Sequence, residues 1–375
     1  MRLGFLTERM RLGFGADLVV HQVAEGLARR GHDVTVFASV SDGTFESPRY
    51  RLVPLGVPAS PIFPRYEWNA LRTLRRLRAA GVDLFVVETF PFFALVPFLR
   101  APFVAVEYGV CATTGFPWWV KAGFLYVRLT QHHVYYRLAR RVVTISGFLR
   151  DRLPASVRAR THVIYPGADH YYAADGDPAS ARSAIRKRFG IGDDQVLLLY
   201  VGRLNPEGQP YKGTARLVDC IGRLRRREPR VQALMVGFGS AQDEAWLAGH
   251  GIQCWRSAPP EAMAGIYAAA DLYVTASEWE GFDMPLVEAQ VAGKAAVALR
   301  VGAHPEVVRD GETACLVGDM DAFETAVRRL VEDAGLRARM GERARAWATR
   351  FSWTTAVEQY DRVLREIAGE LEWTR

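Results

Sequence analysis

Lysine is nearly missing from this sequence. Only Lys121, Lys187, Lys212 and Lys294 occur among 48 lysines and arginines, so the net charge of +7 rests almost wholly on arginine. Cysteine is equally sparse. Cys111, Cys220, Cys254 and Cys315 are scattered without a C-x-x-C pair or metal-ligand spacing, and read as reduced, mostly buried thiols of a cytosolic protein. No apolar run reaches the roughly 20 residues of a membrane-spanning helix; the stretch TFPFFALVPFLRAPF is broken by prolines and Arg100. The start, MRLGFLTERM, passes from one short apolar run into loop-like residues, which is not the pattern of a secretory leader. Short-period repeats are missing, as are zinc-finger, RNA-recognition and helix-turn-helix signatures. The basic balance therefore points to phosphates or anionic lipid rather than nucleic acid.

What is present is apolar mass and α/β periodicity. At 375 residues and 49% hydrophobic content, the chain is about twice a typical domain and rich enough for two cores. The apolar runs RLGFL and HDVTVFAS flank DLVVHQVAEGLARRG. There Val19, Val20, Val23, Ala24, Leu27 and Ala28 recur at helical spacing before Gly31, a C-cap residue. That is one βαβ unit of a parallel sheet. DLFVVETF, PFVAVEYGV and RRVVTIS continue it, giving a doubly wound domain over 1–172. The turn-rich DGDPASARS marks a linker over 173–189. QVLLLYVGRL, VQALMVGFG, GIQCW, DLYVTAS and AAVALR then build a second domain over 190–351. The last segment, about 352–375, reads as an amphipathic helix whose destination the pattern does not fix.

The chemistry gathers in the second domain. In SEWEGFDMPLVEAQVAGK, Pro285 suits the first turn of a helix, placing Glu288 in or just after that turn and Glu280 in the loop before it. A helix start with free N–H groups suits a phosphate or polar ligand, although a carboxylate there also simply complements the dipole. YVGRLNPEGQPYKG follows an apolar strand and supplies Gly202, Arg203, Lys212 and Gly213 in one loop, a natural diphosphate clamp. VGFGSAQ and, near the N-terminus, LGFGAD with Gly13 and Gly15 are incomplete as dinucleotide fingerprints, so a nicotinamide oxidoreductase is disfavoured. LGFGAD serves equally as a phosphate approach or as a simple turn.

Taken together, YVTASEWEGFDMPLVEAQVAGKAAVA, GAHPEVVRDGETACLV, VGRL…KG, LMVGFGS and GFGAD…VAEGLARRGHDVTVFA resemble, in order, the retaining nucleotide-sugar-dependent glycosyltransferases of family 4. The likeness covers nearly the whole chain and is densest over 201–317. It implies the glycosyltransferase-B fold: two Rossmann-like domains facing across a cleft, with the terminal helix returning to the first. It further implies that Arg203 and Lys212 bind the diphosphate and that Glu288 accepts ribose hydroxyls. Glu280 would lie by the donor sugar, with Gly281, Phe282 and Asp283 offering backbone N–H groups. Arg256 would border the base, and Gly13 and Gly15 would approach the phosphates from the other domain.

The expected reaction moves a sugar, with retention, from a UDP-, GDP-, ADP- or dTDP-sugar to a hydroxyl of a glycan, glycolipid or small aglycone. It needs no cofactor or metal; DGD (175–177) and DMD (319–321) only mimic a metal motif. A nucleotide-sugar isomerase or hydrolase of the same fold, or a non-catalytic nucleotide-sugar-binding protein, is the alternative. The chain departs from the family in two places. Glu107-Tyr108 stands where many members have a histidine, which makes Glu107 a catalytic candidate, with His132 and His133 read as helix-face residues. Asp283 stands where glycine is common. Finally, 67–80 and 113–141 mix aromatics with arginines. They are either core-facing aromatics behind a solvated basic face, or a surface for peripheral contact with anionic lipid at the inner face of the membrane.

Overall fold

The computed structural model describes residues 1–372 apart from 46, 61, 111, 112, 114 and 173–177. Cys111 and the aspartates of the DGD stretch lie outside the described residues. The chain forms two compact units, Met1–Pro166 with Trp353–Arg375, and Gly167–Ser352.

The first unit is built on a seven-stranded sheet: β1 (Arg2–Met10), β2 (Asp33–Ser41), β3 (Arg51–Pro54), β4 (Leu84–Val87), β5 (Phe103–Glu107), β6 (Arg141–Thr144) and β7 (Thr161–Val163), in the order β3-β2-β1-β4-β5-β6-β7. The second holds six strands: β8 (Val196–Arg203), β9 (Val231–Phe238), β10 (Gln253–Arg256), β11 (Leu272–Thr275), β12 (Ala295–Leu299) and β13 (Ala314–Val317), in the order β10-β9-β8-β11-β12-β13. Neighbouring strands pair in parallel in both sheets. Parallel sheets are covered on both faces and need near-continuous apolar strands; β4 (LFVV) and β12 (AAVAL) are buried at every position. Each sheet runs outward from its first strand and then returns to that strand's other side. The order therefore reverses between β1 and β4 in one unit and between β8 and β11 in the other.

The elements differ from the sequence expectation in two respects. Residues Pro178–Arg188, within the expected linker, form a helix in the second unit, packed on the helix Pro260–Ala269. Small residues allow the close approach: a Cβ added at Gly265 would stand 3.5 Å from Ala181 Cβ. Arg186 anchors the end of this helix. Its guanidinium is buried against Asp271 Oδ2 at 3.0 Å and the Gln195 carbonyl at 2.9 Å. The short edge strands β3 and β13, with partly exposed residues, went unread because neither is a continuous buried run.

The final helix, Trp353–Glu372, does have a fixed destination, the helix Gly15–Arg29 of the first unit. His32 Nε2 lies 2.8 Å from Asp361 Oδ1, and Arg30 Nη2 donates to Glu358 at 2.9 Å. Gly26 permits the contact, since a Cβ there would come within 2.4 Å of Val357 Cγ2. Gly26→Val should therefore push the two helices apart and cost about 1–3 kcal/mol of unfolding free energy, read from a urea titration. An unchanged midpoint would show that the interface accommodates the methyls.

Candidate functional site

Open parallel sheets take ligands at the carboxyl ends of their strands, where the order reverses. In the second unit the backbone there is closely packed. A Cβ on Gly237, at the end of β9, would lie 1.8 Å from the Gly202 carbonyl oxygen at the end of β8. Gly213, at φ 65°, brings the loop after β8 against the end of β11, where a Cβ would meet the Ala276 carbonyl oxygen at 2.2 Å. The Glu278 N–H donates to the Tyr211 carbonyl at 2.7 Å across the same gap. This closure brings Lys212 Nζ to 2.8 Å from Glu280 Oε1. From the β12 side, the Ala303 N–H donates to the Glu280 carbonyl at 3.0 Å, beside Gly302 at φ 53°.

Asp283 then starts the helix Met284–Val291 from a left-handed conformation, φ 68°, that L residues other than glycine adopt at a cost. Two bonds offset the strain. Oδ1 caps the Leu286 N–H at 3.3 Å, and Oδ2 lies 2.9 Å from His304 Nε2. His304 Nδ1 stands 2.6 Å from the Leu299 carbonyl oxygen. Both ring nitrogens face acceptors, so both donate and the buried ring is an imidazolium. Burial opposes that charge, but the hydrogen bond and charge of Asp283 outweigh it and raise His304 above its ordinary value. Burial likewise works against the Asp283 carboxylate, yet His304 and Lys212 hold it below the usual range. Burial disfavours the Lys212 ammonium too, while Glu280 and Asp283 hold its proton affinity above the ordinary lysine value. Glu280 is raised, burial outweighing the help of Lys212. Two cations and two anions thus compensate one another beneath one loop.

Glu288, buried in the same helix, accepts from the Tyr267 hydroxyl at 2.5 Å, and its other oxygen lies 3.5 Å from His170 Nε2. Burial lifts its carboxyl to about 7, the Tyr267 bond opposing, and drives His170 down to about 4. Arg203 closes β8 with its guanidinium 5.4 Å above the Phe238 ring. Phe282 is buried with its ring 5.7 Å from Phe351, so its side chain is core, next to Gly281 in the loop. Arg256 stands apart at the end of edge strand β10, two strands from β8, where it pairs with Glu244 at 2.7 Å. His170, Tyr267, Gly302 and His304 were not read as site residues. The last two lie in GAHPEVV, where a glycine two positions before a histidine was a usable signal; His170 and Tyr267 carried none.

The first unit has its own carboxyl edge. Gly13 has φ 85° and Gly15 opens the helix Gly15–Arg29, after β1. Asp17 follows, buried, accepting from the Arg11 N–H at 3.0 Å and pushed to about 7 by burial against the pull of Arg9. Glu88, after β4, is pushed to about 7 by burial and accepts from the Tyr108 hydroxyl at 2.6 Å. Glu107, at the end of β5, is engaged on both oxygens: Oε2 by Tyr136 Oη at 2.8 Å and His132 Nε2 at 3.0 Å, Oε1 by the Gly109 N–H at 2.5 Å. His132, read as a helix-face residue, lies in a helical turn and faces inward. The π-helical turn Gln131–Tyr135 admits an extra residue and turns the ring inward to Glu107, whereas His133 stays exposed. Among the described residues, no group of three or more His, Cys, Asp or Glu could hold a metal ion.

Removing His304 leaves the Asp283 charge buried without its partner. His304→Gln should cost about 3–5 kcal/mol of stability at pH 6. Because the folded-state value of His304 is raised above 6.5, that contribution is complete below about pH 6.5 and fades as pH rises through the raised value. Urea titrations from pH 5.5 to 9 should show the wild-type advantage shrinking toward high pH; a gap independent of pH would mean the ring is neutral.

Comparison with known proteins supplies the context for this geometry. Residues 15–171 match the family described as Glycosyltransferase Family 4, and residues 195–333 match Glycosyl transferases group 1. D-inositol 3-phosphate glycosyltransferase of Corynebacterium efficiens is 32% identical over 222 residues, 55% of this chain and 51% of that protein. Its counterpart in Geodermatophilus obscurus is 35% identical over 229 residues, 56% of this chain and 48% of that protein. The chain spans about half the length of the curated relatives it matches. Over the whole fold it resembles sucrose-phosphate synthase from Thermosynechococcus elongatus, with TM-score 0.82 and 20% identity over 99% of this chain and 100% of that one. Anabaena HepE in complex with UDP and glucose follows at TM-score 0.77 and 21% identity, over 97% of this chain and 99% of that one. These structures share the glycosyltransferase-B architecture of two Rossmann-like parallel sheets with the first and second units. The chain thus carries a Glycosyltransferase Family 4 domain over residues 15–171 and a Glycosyl transferases group 1 domain over residues 195–333.

Proposed function

We propose that this chain transfers a sugar, with retention of configuration and without a divalent metal, from a nucleoside-diphosphate sugar to a hydroxyl acceptor. The observation that carries the reading is the Lys212–Glu280 contact at the β8–β11 reversal, 2.8 Å long and beside the start of the Met284–Val291 helix. The group 1 match covers this whole cluster. The HepE complexes with UDP-glucose and with UDP and glucose support a uridine nucleotide as the first donor to try. The inositol-phosphate name of the relatives supports a polyol or sugar-like acceptor.

In this reading the bond from the anomeric carbon to the diphosphate oxygen breaks, the nucleoside diphosphate leaves with the electron pair, and the acceptor hydroxyl oxygen bonds to that carbon on the vacated face while its proton passes to the departing phosphate oxygen. Arg203 and Lys212 meet its growing charge, a role otherwise open to a metal ion. The Lys212 ammonium has three N–H donors, so it keeps Glu280 while turning another toward a phosphate oxygen. Glu280 lies by the sugar, near the backbone of Gly281 and Asp283, while at the end of β8 Gly202 makes way for the Tyr200 hydroxyl, which a Cβ there would approach to 2.6 Å. Glu288 keeps Tyr267 on one oxygen and offers the other to the ribose, whose hydroxyl donors favour the ionised carboxylate over its raised value. Glu107, with both oxygens engaged, acts by holding His132 in place. Gly13 and Gly15 offer a side-chain-free approach to a phosphate. Arg256 reaches a base only by giving up Glu244.

Glu288→Gln should weaken binding of the donor nucleotide about ten- to a hundredfold, measured by calorimetry. Arg203→Gln should lower kcat by about 10² with thermal unfolding preserved, whereas Lys212→Gln should lower kcat as much and also lower the unfolding temperature, because buried Glu280 loses its partner; saturating EDTA should leave turnover of the wild type unchanged. NMR of the anomeric proton of the product decides retention. Full turnover in both cation variants would remove the clamp, and sugar release from donor alone would indicate a hydrolase.

A further inference from the structure

The large hydrophobic side chains left exposed among the described residues fall in one part of the chain. Ile62, Trp68, Phe98, Trp118, Trp119, Leu125, Leu129, Val134 and Leu138 all lie between positions 62 and 138 of the first unit, and the described residues of the second unit have no counterpart. Trp118 is 75% exposed, Trp68 66% and Trp119 61%. Scattered exposed apolar residues need no explanation, but a concentrated set does.

Local packing shows why these residues face outward. The helix Trp118–Thr130 lies against the helix Phe63–Leu71, where Gly123 gives way to the Phe63 ring: a Cβ there would stand 2.2 Å from Phe63 Cε2. Tyr126 Oη donates to Glu67 Oε2 at 2.5 Å and ties the same two faces together. With Gly123, Phe124, Tyr126 and Val127 directed inward, the rest of the helix presents Trp118, Ala122, Leu125 and Leu129 along one stripe at helical spacing. Lys121 and Arg128, seven apart, flank that stripe.

The charges say what covers it. Between Tyr108 and Arg150 the sequence has no aspartate or glutamate, and between Asn69 and Val82 it has none either. Lys121, Arg128, Arg137 and Arg140 are exposed and have no carboxylate partner among the described residues. A second copy of this chain would bring the same cations face to face, which opposes self-association through this surface. A bilayer carrying anionic headgroups instead satisfies both features, accepting tryptophan and leucine at the acyl boundary and lysine and arginine at the phosphates. No described helix is long and apolar enough to cross a membrane, so the contact is parallel to the surface.

We infer that the face formed by the helix Trp118–Thr130 and its neighbour Phe63–Leu71 docks the first unit on an anionic bilayer. It deepens the glycosyltransferase reading only by giving the acceptor a place, a lipid-borne hydroxyl at that surface. The contact itself does not depend on the reaction.

Vesicle flotation tests it directly. The full chain should float with vesicles of phosphatidylcholine containing about a third phosphatidylglycerol, and not with phosphatidylcholine alone. Lys121→Gln and Arg128→Gln should each lower the partition coefficient about fivefold, and salt should weaken binding. The double variant Trp118→Ala, Trp119→Ala should bind at least tenfold less, with unchanged circular dichroism and unchanged thermal shift by UDP, since both side chains are solvent-facing. Equal binding to both vesicle types, or binding that survives all these changes, overturns the proposal. So does a dimer in gel filtration that the tryptophan variant converts to monomer. Loss of vesicle binding with transfer to a soluble acceptor intact separates this surface from the chemistry, whereas vesicle binding without any transfer activity would count against the reaction alone.

Discussion

The cancellation of charge among Lys212, Glu280, Asp283 and His304 is the constraint around which the second unit's carboxyl edge is arranged. An ion buried alone costs several kcal/mol, and removing one partner of a pair exposes that cost. The four groups come from the loops following β8, β11 and β12, so keeping them in register keeps those loops in register. Asp283 shows the coupling most clearly. Its strained backbone persists because the side chain caps a helix with one oxygen and neutralises an imidazolium with the other. The glycines at 213 and 302 let neighbouring loops approach until carbonyl oxygens stand where a side chain would be. Electrostatics and close backbone contact therefore specify one loop conformation in common.

Much of this was legible from residue order. Buried parallel strands write themselves as short apolar runs, and the glycine–arginine–lysine loop and paired glutamates lay in the second half as read. What escaped had physical causes. β3 and β13 are edge strands with partly exposed residues, so no continuous apolar run marked them. Residues 178–188 looked like a linker because they are small and polar, but small residues are what a tightly packed helix pair requires. His132 escaped because a π-helical turn shifts which residues face inward, and α-helical spacing cannot anticipate it. Arg256 was carried to the base by position in a motif, yet its strand lies at the sheet edge and its guanidinium is held by Glu244. His304 is the most instructive: a histidine among apolar residues reads as packing, and only the two acceptors around its ring show that it is a charge.

Arginine, which supplies most of the net charge, is used in two ways. In the second unit, Arg182 and Arg186 turn to Asp271, to the Ala269 carbonyl that ends the Pro260–Ala269 helix and to the Gln195 carbonyl before β8, so their charge is spent internally as structure. In the first, the arginines at 72, 75, 128, 137 and 140 face solvent. A composition that looks uniformly basic is thus partitioned between internal architecture and an exposed field, and only the exposed share is available to an external partner.

The first unit is discontinuous in the chain: its last helix is separated from the rest by the whole of the second unit, and the Ala168 N–H donates to the Phe351 carbonyl at 2.9 Å beside the two crossings. Synthesis proceeds from the N-terminus, so the groove of the Gly15–Arg29 helix stays uncovered while some two hundred further residues leave the ribosome, and the contiguous second unit completes its own sequence first. A cut at either crossing leaves the other still joining the pieces. A truncation before position 353, by contrast, would spare every residue of the Lys212, Glu280, Asp283 and His304 cluster and still leave the Gly15–Arg29 helix of the first unit without the helix that covers it.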